Sequence, residues 1–385
     1  MISRFSIPTQ ILLGPGAVRE IPDLVRSLGR RRPLIVTDAG VVRAGLVERV
    51  TGPFRDAGLS WAVFDGVHPN PVEEDVAAGL MAYRDGGCDL VLALGGGSPL
   101  DAGKGIRLKV THPLPLEDYE AGRGGADRIG PDVPPMIAVP TTAGTGSEVG
   151  RSAVFTFRTL GRKSLIFSPH LMPSFAVADP ELTVGLPPYL TAATGMDALT
   201  HNLESYLSTS YHPICDAIAR GGIRLVAQHL RRAVRCGADL DARQGMLMAA
   251  MMGATAFQKD LGAAHSLAHP LSTVAGVHHG LANAVVLPHV LAFNAHAAAA
   301  KLRDVAEDLG VEVAGLSDAA AARKAVDAVR ALNREIGIPE RLSQVGVTGE
   351  MIPELSRKAM EDGCHRTNPR PCTKEDMADL YRKAL

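Results

Sequence analysis

Short apolar runs alternate with longer segments of helical spacing through the first half of the sequence, and this alternation restricts the possible folds more than any other feature. The apolar runs lie at residues 33–38, 59–65 and 89–94, and the helical segments lie at residues 17–28, 42–58 and 72–87. Strands that are separated by helices pair in parallel, and continuous apolar runs are typical of strands buried on both faces. The first half is therefore predicted to form an α/β domain, a Rossmann-like parallel sheet with helices on both faces.

The pattern changes after residue 185, where the apolar residues recur at three-and-four spacing without intervening strands. The segments that predict helices are residues 197–207, 217–236, 244–258, 297–309, 317–337 and 348–361. A chain of 385 residues is long enough for two domains. We therefore predict an α/β domain over residues 1–185 and an all-helical domain over residues 186–385.

A glycine turn follows the third apolar run. Gly95–Gly97 ends the predicted strand, and Ser98, Pro99 and Asp101 suit the N-cap, N1 and N3 positions of a following helix. Backbone N–H groups at such a helix start favour an anion, so the turn predicts a site for a pyrophosphate. The alternative is that the glycines only form a tight connection between strand and helix.

Two further strand ends carry polar residues. Thr141 and Thr142 begin a loop of small hydroxyl residues and glycines after an apolar run, and Asp38 follows the first run. Ligands of open α/β sheets bind at the carboxyl ends of strands. Asp38 is expected either to accept hydrogen bonds from the adenosine ribose, which would favour NAD over NADP, or to cap the helix that follows it.

Four histidines lie in the otherwise small and apolar stretch 262–280, which is not typical of a solvated surface. His265 and His269 are four residues apart, and Asp197 and His201 repeat that spacing upstream. On a helix this spacing brings both side chains of each pair to one face. The two segments therefore predict a shared site rather than separate structural roles.

One carboxylate and three or more imidazoles suit Zn, Fe(II), Mn or Ni and lack the many oxygens that Ca or Mg requires. The alternative is that some of these histidines are core residues whose ring nitrogens bond to backbone carbonyls. His278 and His279 are adjacent, so spacing alone does not decide which of them faces the site.

Composition excludes several other classes of function. The 40 Lys and Arg residues balance 41 Asp and Glu residues for a net charge of -1, so neither nucleic acid nor an anionic membrane is an expected partner. No apolar span reaches membrane length, and no secretory leader is recognisable, so the expected location is cytoplasmic. The five cysteines are scattered and odd in number, which predicts reduced thiols.

Taken together, the glycine turn, the loop at residues 141–148 and the spaced histidines resemble the iron-containing (group III) alcohol dehydrogenase family, over nearly the whole length of the chain. The resemblance implies an N-terminal α/β domain, a C-terminal helical domain and at least a homodimer. It also implies one divalent metal, Fe(II) as the first expectation with Zn as the second. The metal ligands that it implies are Asp197, His201, His265 and His279.

The resemblance also implies a nicotinamide cofactor and one catalytic residue. His269 matches a histidine near the reacting centre. For Lys163, which the resemblance implies as an NAD contact, the alternative is a solvated turn residue. The implied contacts to NAD are Asp38, Asn70, Gly97, Ser98, Thr141, Thr142 and Lys163.

Two departures from the family pattern concern the substrate. The stretch from Phe257 to Gly262 is one residue shorter than usual, which makes a pocket role for Phe257 unsafe. Arg151 and Lys259 stand where apolar or small polar residues are expected. If both face the site, an anionic substrate such as a hydroxy acid is indicated, whereas as surface charges they carry no such implication.

The function predicted from these features is reversible hydride transfer between NAD and a small-molecule alcohol or hydroxy acid, in a cleft between the two domains. One alternative is a lyase resembling dehydroquinate synthase, which uses NAD transiently. That chemistry would call for several basic residues in the helical half and a ligand set without His201, and His201 likewise disfavours the glycerol dehydrogenase branch. A second alternative is a non-catalytic dinucleotide-binding protein.

Overall fold

The computed structural model describes residues 3–385, except for the side chain of Arg162. The chain divides into two compact units. The α/β unit comprises Ile7–Thr142 and Gly146–Gly185. The helical unit comprises Leu186–Leu385, Ala143–Thr145 and the N-terminal residues up to Ser6.

A six-stranded parallel sheet forms the centre of the α/β unit, as the alternation of apolar runs and helices predicts. Its strands in chain order are β1 (Gln10–Leu13), β2 (Pro33–Val36), β3 (Ala62–Phe64), β4 (Leu90–Gly95), β5 (Met136–Pro140) and β8 (Phe175–Ala178). Their spatial order is β1, β8, β5, β4, β2, β3. An antiparallel hairpin of β6 (Ser152–Phe157) and β7 (Arg162–Phe167), which the sequence analysis did not predict, lies outside this sheet.

Five α-helices belong to this unit: α1 (Ile21–Ser27), α2 (Ala39–Arg43), α3 (Leu46–Asp56), α4 (Glu73–Asp85) and α5 (Gly97–Thr111). The segment predicted as one helix over residues 42–58 is instead divided between α2 and α3. The division falls at Gly45, whose φ of 72° lies in the left-handed region that glycine tolerates.

The central strands bury side chains on both faces, which explains their unbroken apolar sequence. In β2, Leu34 and Val36 join one buried cluster while Ile35 joins another. In β4, Val91 and Leu92 divide between the same two clusters. The backbone N–H and C=O groups of these strands pair with neighbouring strands. The groups nearest to the sheet that can bind a ligand are therefore the polar residues that follow each strand.

The described residues of the helical unit form nine α-helices: α6 (Pro188–Leu207), α7 (Pro213–Arg235), α8 (Leu240–Ala256), α9 (Ala263–Val274), α10 (His279–Asn294), α11 (Ala299–Asp308), α12 (Asp318–Glu335), α13 (Ile352–Glu361) and α14 (Lys374–Ala384). The predicted helical segments match α7, α8, α11, α12 and α13 to within about one turn at their ends, whereas α6 begins at Pro188, well before the predicted start at residue 197. Across residues 3–385, no helix has both the length and the apolar character that crossing a membrane requires.

Helix α6, which carries Asp197 and His201, is held closely by α7 and α8. A Cβ on Gly222 of α7 would lie 2.0 Å from Oδ1 of Asn202, and a Cβ on Gly253 of α8 would lie 2.8 Å from its Nδ2. The Asn202 amide donates to the carbonyl of Ala249 across this crossing at 3.0 Å. The glycines therefore let three helices meet around one buried amide and fix the position of α6.

Candidate functional site

Three helices of the helical unit bring the predicted ligands together. Asp197 and His201 lie one turn apart on α6, His265 lies on α9, and His279 is the first residue of α10. Asp197, His201 and His265 are buried. Within the described part of the chain, Asp197, His265 and His279 each offer one ligand atom, and these three atoms all lie within 4.8 Å of one another.

The distances within this group are those of side chains that face a common point. Asp197 Oδ1 lies 3.5 Å from Nε2 of His279 and 4.0 Å from Nε2 of His265. The rings of His265 and His279 are 5.5 Å apart. Of the two adjacent histidines, His279 faces the group while His278 is exposed, so tertiary structure decides what spacing left open.

His201 lies beside this group rather than within it. Its ring stacks on that of His265, with 4.6 Å between the centroids. Burial lowers the pKa of His201 to about 4, which keeps the imidazole neutral at neutral pH. A neutral imidazole is the form that coordinates a metal.

Asn283, which the sequence analysis did not single out, contacts all three members of the close group. Its Nδ2 donates to Asp197 Oδ1 at 2.8 Å and lies 3.3 Å from Nε2 of both His265 and His279. The Asn283 amide is a donor to the carboxylate oxygen, and both imidazole Nε2 atoms lie within hydrogen-bonding distance of the same nitrogen. A point ringed by one carboxylate oxygen and two imidazole nitrogens suits a cation, and these residues therefore fit a divalent metal.

Glu204, one helical turn beyond His201, contacts His265 from the side away from Asp197. Nδ1 of His265 lies 2.7 Å from Glu204 Oε2, and both residues are buried. Burial disfavours the charged imidazole, but the hydrogen bond and charge of Glu204 outweigh burial and raise the pKa of His265.

His269 lies at the edge of the group and has a carboxylate of its own. Its ring stacks on His279 with 5.2 Å between centroids, and its Nδ1 lies 2.7 Å from Asp362 Oδ2. Asp362 also accepts from Ser266 Oγ and from the N–H of Cys364, both at 2.8 Å. Burial opposes the charge of Asp362, but His269 and these donors outweigh burial and hold its pKa well below the usual range.

In the α/β unit, the glycine turn connects β4 to α5, but the predicted helix register is wrong. Helix α5 begins at Gly97 after an N-cap at Gly96, so Ser98, Pro99 and Asp101 lie inside the helix. No side chain among the described residues caps this N-terminus. The last glycine of the turn is also the first residue of the helix. The first backbone N–H groups of the helix are therefore available to a ligand.

Two further cofactor candidates, Thr141 and Thr142, lie at the same edge of the sheet. The N–H of Thr141 donates to the carbonyl of Gly95 at 2.9 Å, and a Cβ on Gly96 would lie 3.3 Å from Oγ1 of Thr142. The structure therefore brings these threonines beside the glycine turn, at the carboxyl ends of neighbouring strands β4 and β5.

Asp38 and Asn70 have observed contacts within the protein. Asp38 Oδ1 accepts from the N–H groups of Gly40 and Val41, so it caps α2, the second of its two predicted roles. Asn70 has a φ of 57°, and its N–H lies 3.3 Å from Ser98 Oγ. Lys163 belongs to β7, and its side chain is partly buried.

Buried charged side chains lie within the loop at residues 141–148 and next to it. Lys104 donates to the carbonyl and Oγ of Ser147 at 2.7 and 2.8 Å and to the carbonyl of Ser152 at 2.7 Å. Burial lowers the pKa of Lys104 to about 8, against the charges of Asp101 and Glu148. Burial likewise raises the pKa of Glu148 to about 7. Lys104 therefore connects α5 to Ser147, near the end of this loop.

The residues that departed from the family pattern have other partners. Lys259 is 1% exposed and pairs with Asp216 Oδ1 at 2.5 Å, so it is neither a surface charge nor an open cation for a substrate. Arg151 lies over the ring of Phe167 at 4.8 Å. Phe257 contacts the His201 ring at 5.4 Å between centroids, so an apolar ring borders the metal candidates.

The residues that sequence reasoning missed are Glu204, Asn283 and Asp362. Each contacts a predicted histidine or aspartate but lies far from it in sequence or on another turn. The spacing of Glu204 from His201 was one available signal, because residues three apart are neighbours on a helix surface. Asn283 follows His279 by four residues, which also brings it to the same face.

Comparison with known protein families gives two matches that together cover most of the chain. Residues 8–180 match the family described as iron-containing alcohol dehydrogenase. Residues 191–385 match the C-terminal part of the Fe-containing alcohol dehydrogenase family. The glycine turn and threonine loop lie in the first match, and every proposed metal ligand lies in the second.

Individual relatives match over essentially the full length. The 4-hydroxybutyrate dehydrogenase of Cupriavidus necator is 44% identical over 382 residues, covering 98% of this chain and 97% of that protein. The crystal structure of a 1,3-propanediol oxidoreductase superposes with a TM-score of 0.96 at 40% identity, covering both chains completely. The sulfoacetaldehyde reductase from Bifidobacterium kashiwanohense, solved in complex with NAD+, gives a TM-score of 0.89 at 31% identity over 100% of this chain and 99% of that one.

Proposed function

Since this chain belongs to the iron-containing alcohol dehydrogenase family and is an oxidoreductase acting on CH–OH groups, we propose that it transfers hydride reversibly between an alcohol and NAD with the help of one divalent metal. The observation that carries this proposal is the convergence of Asp197, His265 and His279 around the Asn283 amide. The NAD+ complex of the sulfoacetaldehyde reductase supports the choice of cofactor.

Asp197, His201, His265 and His279 would hold the metal. Fe(II) is our first choice and Zn the second. Zn binds such ligands more tightly by the usual affinity order, so supply as well as the site decides the occupant. When bound, the metal would supply Lewis acidity, which lowers the pKa of an alcohol and stabilises its alkoxide.

Gly97, Ser98, Thr141 and Thr142 would bind the dinucleotide, with its pyrophosphate on the uncapped N-terminus of α5. We keep Asp38, Asn70 and Lys163 as further contacts. Asp38 can cap α2 with one oxygen and offer the other to a ribose hydroxyl. Bound NAD would accept the hydride as the alcohol is oxidised.

His269 is our candidate for carrying the alcohol proton. Asp362 accepts from Nδ1 of His269, which orients the ring and leaves Nε2 as the nitrogen that can take up or release a proton. His269 is partly exposed, unlike the buried His265, so it can pass a proton to solvent.

We assign the cofactor to an N-terminal domain over residues 1–185 and the metal to a C-terminal domain over residues 186–385. A homodimer or larger homo-oligomer in the cytoplasm remains our proposal from the resemblance. The substrate that we propose is a small alcohol or hydroxy acid. The substrates for which the relatives are named, including 4-hydroxybutyrate and 1,3-propanediol, support a screen of both types.

The test is anaerobic reconstitution of metal-stripped protein with Fe(II), Zn(II), Mn(II) or Ni(II), followed by NADH absorbance over a panel of alcohols and hydroxy acids. We expect alcohol-dependent NADH production with at least one metal, and none in the chelated protein. Tight NAD binding without NADH production under every pairing would instead favour the non-catalytic alternative.

His265→Ala is the matched test of the metal ligands, with His278→Ala as its control, because His278 is exposed and adjacent to the site. We expect loss of bound metal in the first variant and full stoichiometry in the second, measured by elemental analysis. Full metal content in His265→Ala would refute the ligand set.

A further inference from the structure

We propose that Glu204 is a positioning residue that fixes the proton of His265 on Nδ1 and thereby leaves Nε2 available to the metal. This inference rests on the proposed function, because it assumes that His265 is a ligand. It adds a requirement that the ligand set alone does not contain, namely that a buried carboxylate selects which nitrogen of one ligand can coordinate.

Glu204 makes three contacts with the first turn of α9. Oε1 accepts from the N–H of Ala264 at 2.6 Å, and Oε2 accepts from the N–H of His265 at 3.3 Å and lies 2.7 Å from its Nδ1. A Cβ on Gly262 would lie 2.7 Å from Oε1, so a glycine there leaves room for the carboxylate.

Both oxygens of Glu204, which is only 3% exposed, accept hydrogen bonds from backbone N–H groups at the N-terminus of α9. The oxygen that lies 2.7 Å from Nδ1 of His265 is thus already an acceptor of the backbone N–H of His265. An acceptor in that place calls for a donor, which assigns the proton of His265 to Nδ1.

The opposite nitrogen of His265 faces the proposed metal position. Its Nε2 lies 3.3 Å from the Asn283 amide nitrogen and 4.0 Å from Asp197 Oδ1. With the proton on Nδ1, a neutral His265 presents a lone pair at Nε2. Ligand histidines in metal sites commonly donate their other N–H to a carboxylate in this way.

Glu204→Gln tests this assignment with little change in shape. If the new amide oxygen keeps the Ala264 N–H, its NH2 group faces Nδ1 of His265 and forces the proton onto Nε2, where it blocks coordination. If the amide turns the other way, two donors meet at Ala264 instead. The first arrangement disfavours the His265 tautomer that binds metal, and the second preserves that tautomer only at the cost of the contact between two donors at Ala264.

Asp362→Asn is the matched control, because it makes the same change beside His269, a histidine that we do not propose as a ligand. The affinities of both variants and of the wild type for Zn(II) and Co(II) would be measured by competition with a chromophoric chelator. The visible spectrum of the Co(II) forms reports the ligands around the ion, and thermal unfolding of the metal-free proteins reports folding.

We expect Glu204→Gln to bind Zn(II) about 10–100-fold more weakly than the wild type, with an altered Co(II) spectrum. Asp362→Asn should keep wild-type affinity and spectrum. Wild-type affinity in Glu204→Gln, or an equal loss in both variants, would overturn the role of Glu204. If instead the wild type held no metal through His265, the proposed function would fail first, so the two failures are distinguishable.

Should Glu204→Gln unfold, Gly262→Ala provides a second variant, since its methyl group would displace the Glu204 carboxylate while leaving its charge. We expect the same selective loss of Zn(II) affinity. Undiminished affinity in a folded Gly262→Ala protein would count against the proposal.

Discussion

Each imidazole of the site has two nitrogens, and the partner of one determines what the other can do. His265 and His269 share a helix face, yet Glu204 occupies one Nδ1 deep in the protein and Asp362 occupies the other near its edge. The first arrangement suits a fixed ligand and the second suits a proton carrier. The same reasoning applies to buried carboxylates, whose partners determine whether burial is tolerated.

Glu148 is the buried carboxylate that should affect stability most directly. Its Oε1 has no hydrogen-bond partner among the described residues, and burial raises its pKa to about 7. The protonated Glu148 carboxyl therefore stabilises the folded state fully below pH 4.5, the ordinary pKa of a Glu side chain, and this stabilisation is lost as the pH rises through 7. The Gln side chain of Glu148→Gln does not titrate. We therefore expect its free energy of unfolding, relative to that of the wild type, to increase by up to about 3 kcal/mol between pH 4.5 and 8.

Urea unfolding at several pH values would measure this difference for Glu148→Gln. Glu350→Gln, at an exposed position, is the control and should follow the wild type throughout. A constant difference between Glu148→Gln and the wild type from pH 4.5 to 8 would contradict the expectation.

At the scale of elements, the site depends on how closely α10 approaches α6. Gly280, the second residue of α10, packs so tightly that a Cβ there would lie 2.3 Å from the carbonyl oxygen of Ala193. This approach brings His279 within 3.5 Å of Asp197. A backbone oxygen cannot move aside as a flexible side chain can, so the whole helix would have to shift.

We therefore expect Gly280→Ala to destabilise the protein by about 1–3 kcal/mol and to weaken metal binding, because α10 would carry His279 away from Asp197. Gly52→Ala is the matched control, since that helical glycine has no atom within 4 Å of an added Cβ. Thermal unfolding and chelator competition would measure both effects, and unchanged metal affinity in Gly280→Ala would contradict this account of the contact.

At the scale of the molecule, the two compact units divide the proposed chemistry. The uncapped start of α5, Thr141 and Thr142 belong to the α/β unit, and all four proposed metal ligands belong to the helical unit. A ligand that binds only the native state stabilises the segments that contact it. The cofactor and the metal should therefore protect different parts of the chain.

Hydrogen exchange of the full-length protein, with peptides resolved by mass spectrometry, would measure this protection. We expect NAD+ alone to slow exchange at residues 95–101 and 140–142, and Zn(II) alone to slow exchange in α9 and α10. Protection of α9 and α10 by NAD+ without metal, with none at the glycine turn, would contradict the assignment of the two domains.

The sequence by itself determined the parallel sheet, the change to helices after residue 185 and the pairing of Asp197 with His201 and of His265 with His269. These depend on local periodicity, which the chain carries in its residue order. It also predicted the glycine turn, but not that α5 begins at Gly97, because a glycine turn that is itself helical lacks the side-chain cap by which a start is recognised.

Tertiary structure alone decided which side chains complete the site. The contact of Glu204 with Nδ1 of His265 and the burial of Lys259 against Asp216 both depend on residues distant in sequence. Periodicity assigns a side chain to a face, but the position of its partner follows from how closely helices pack. That closeness is determined by glycines such as Gly280, whose lack of a side chain has no periodic signature.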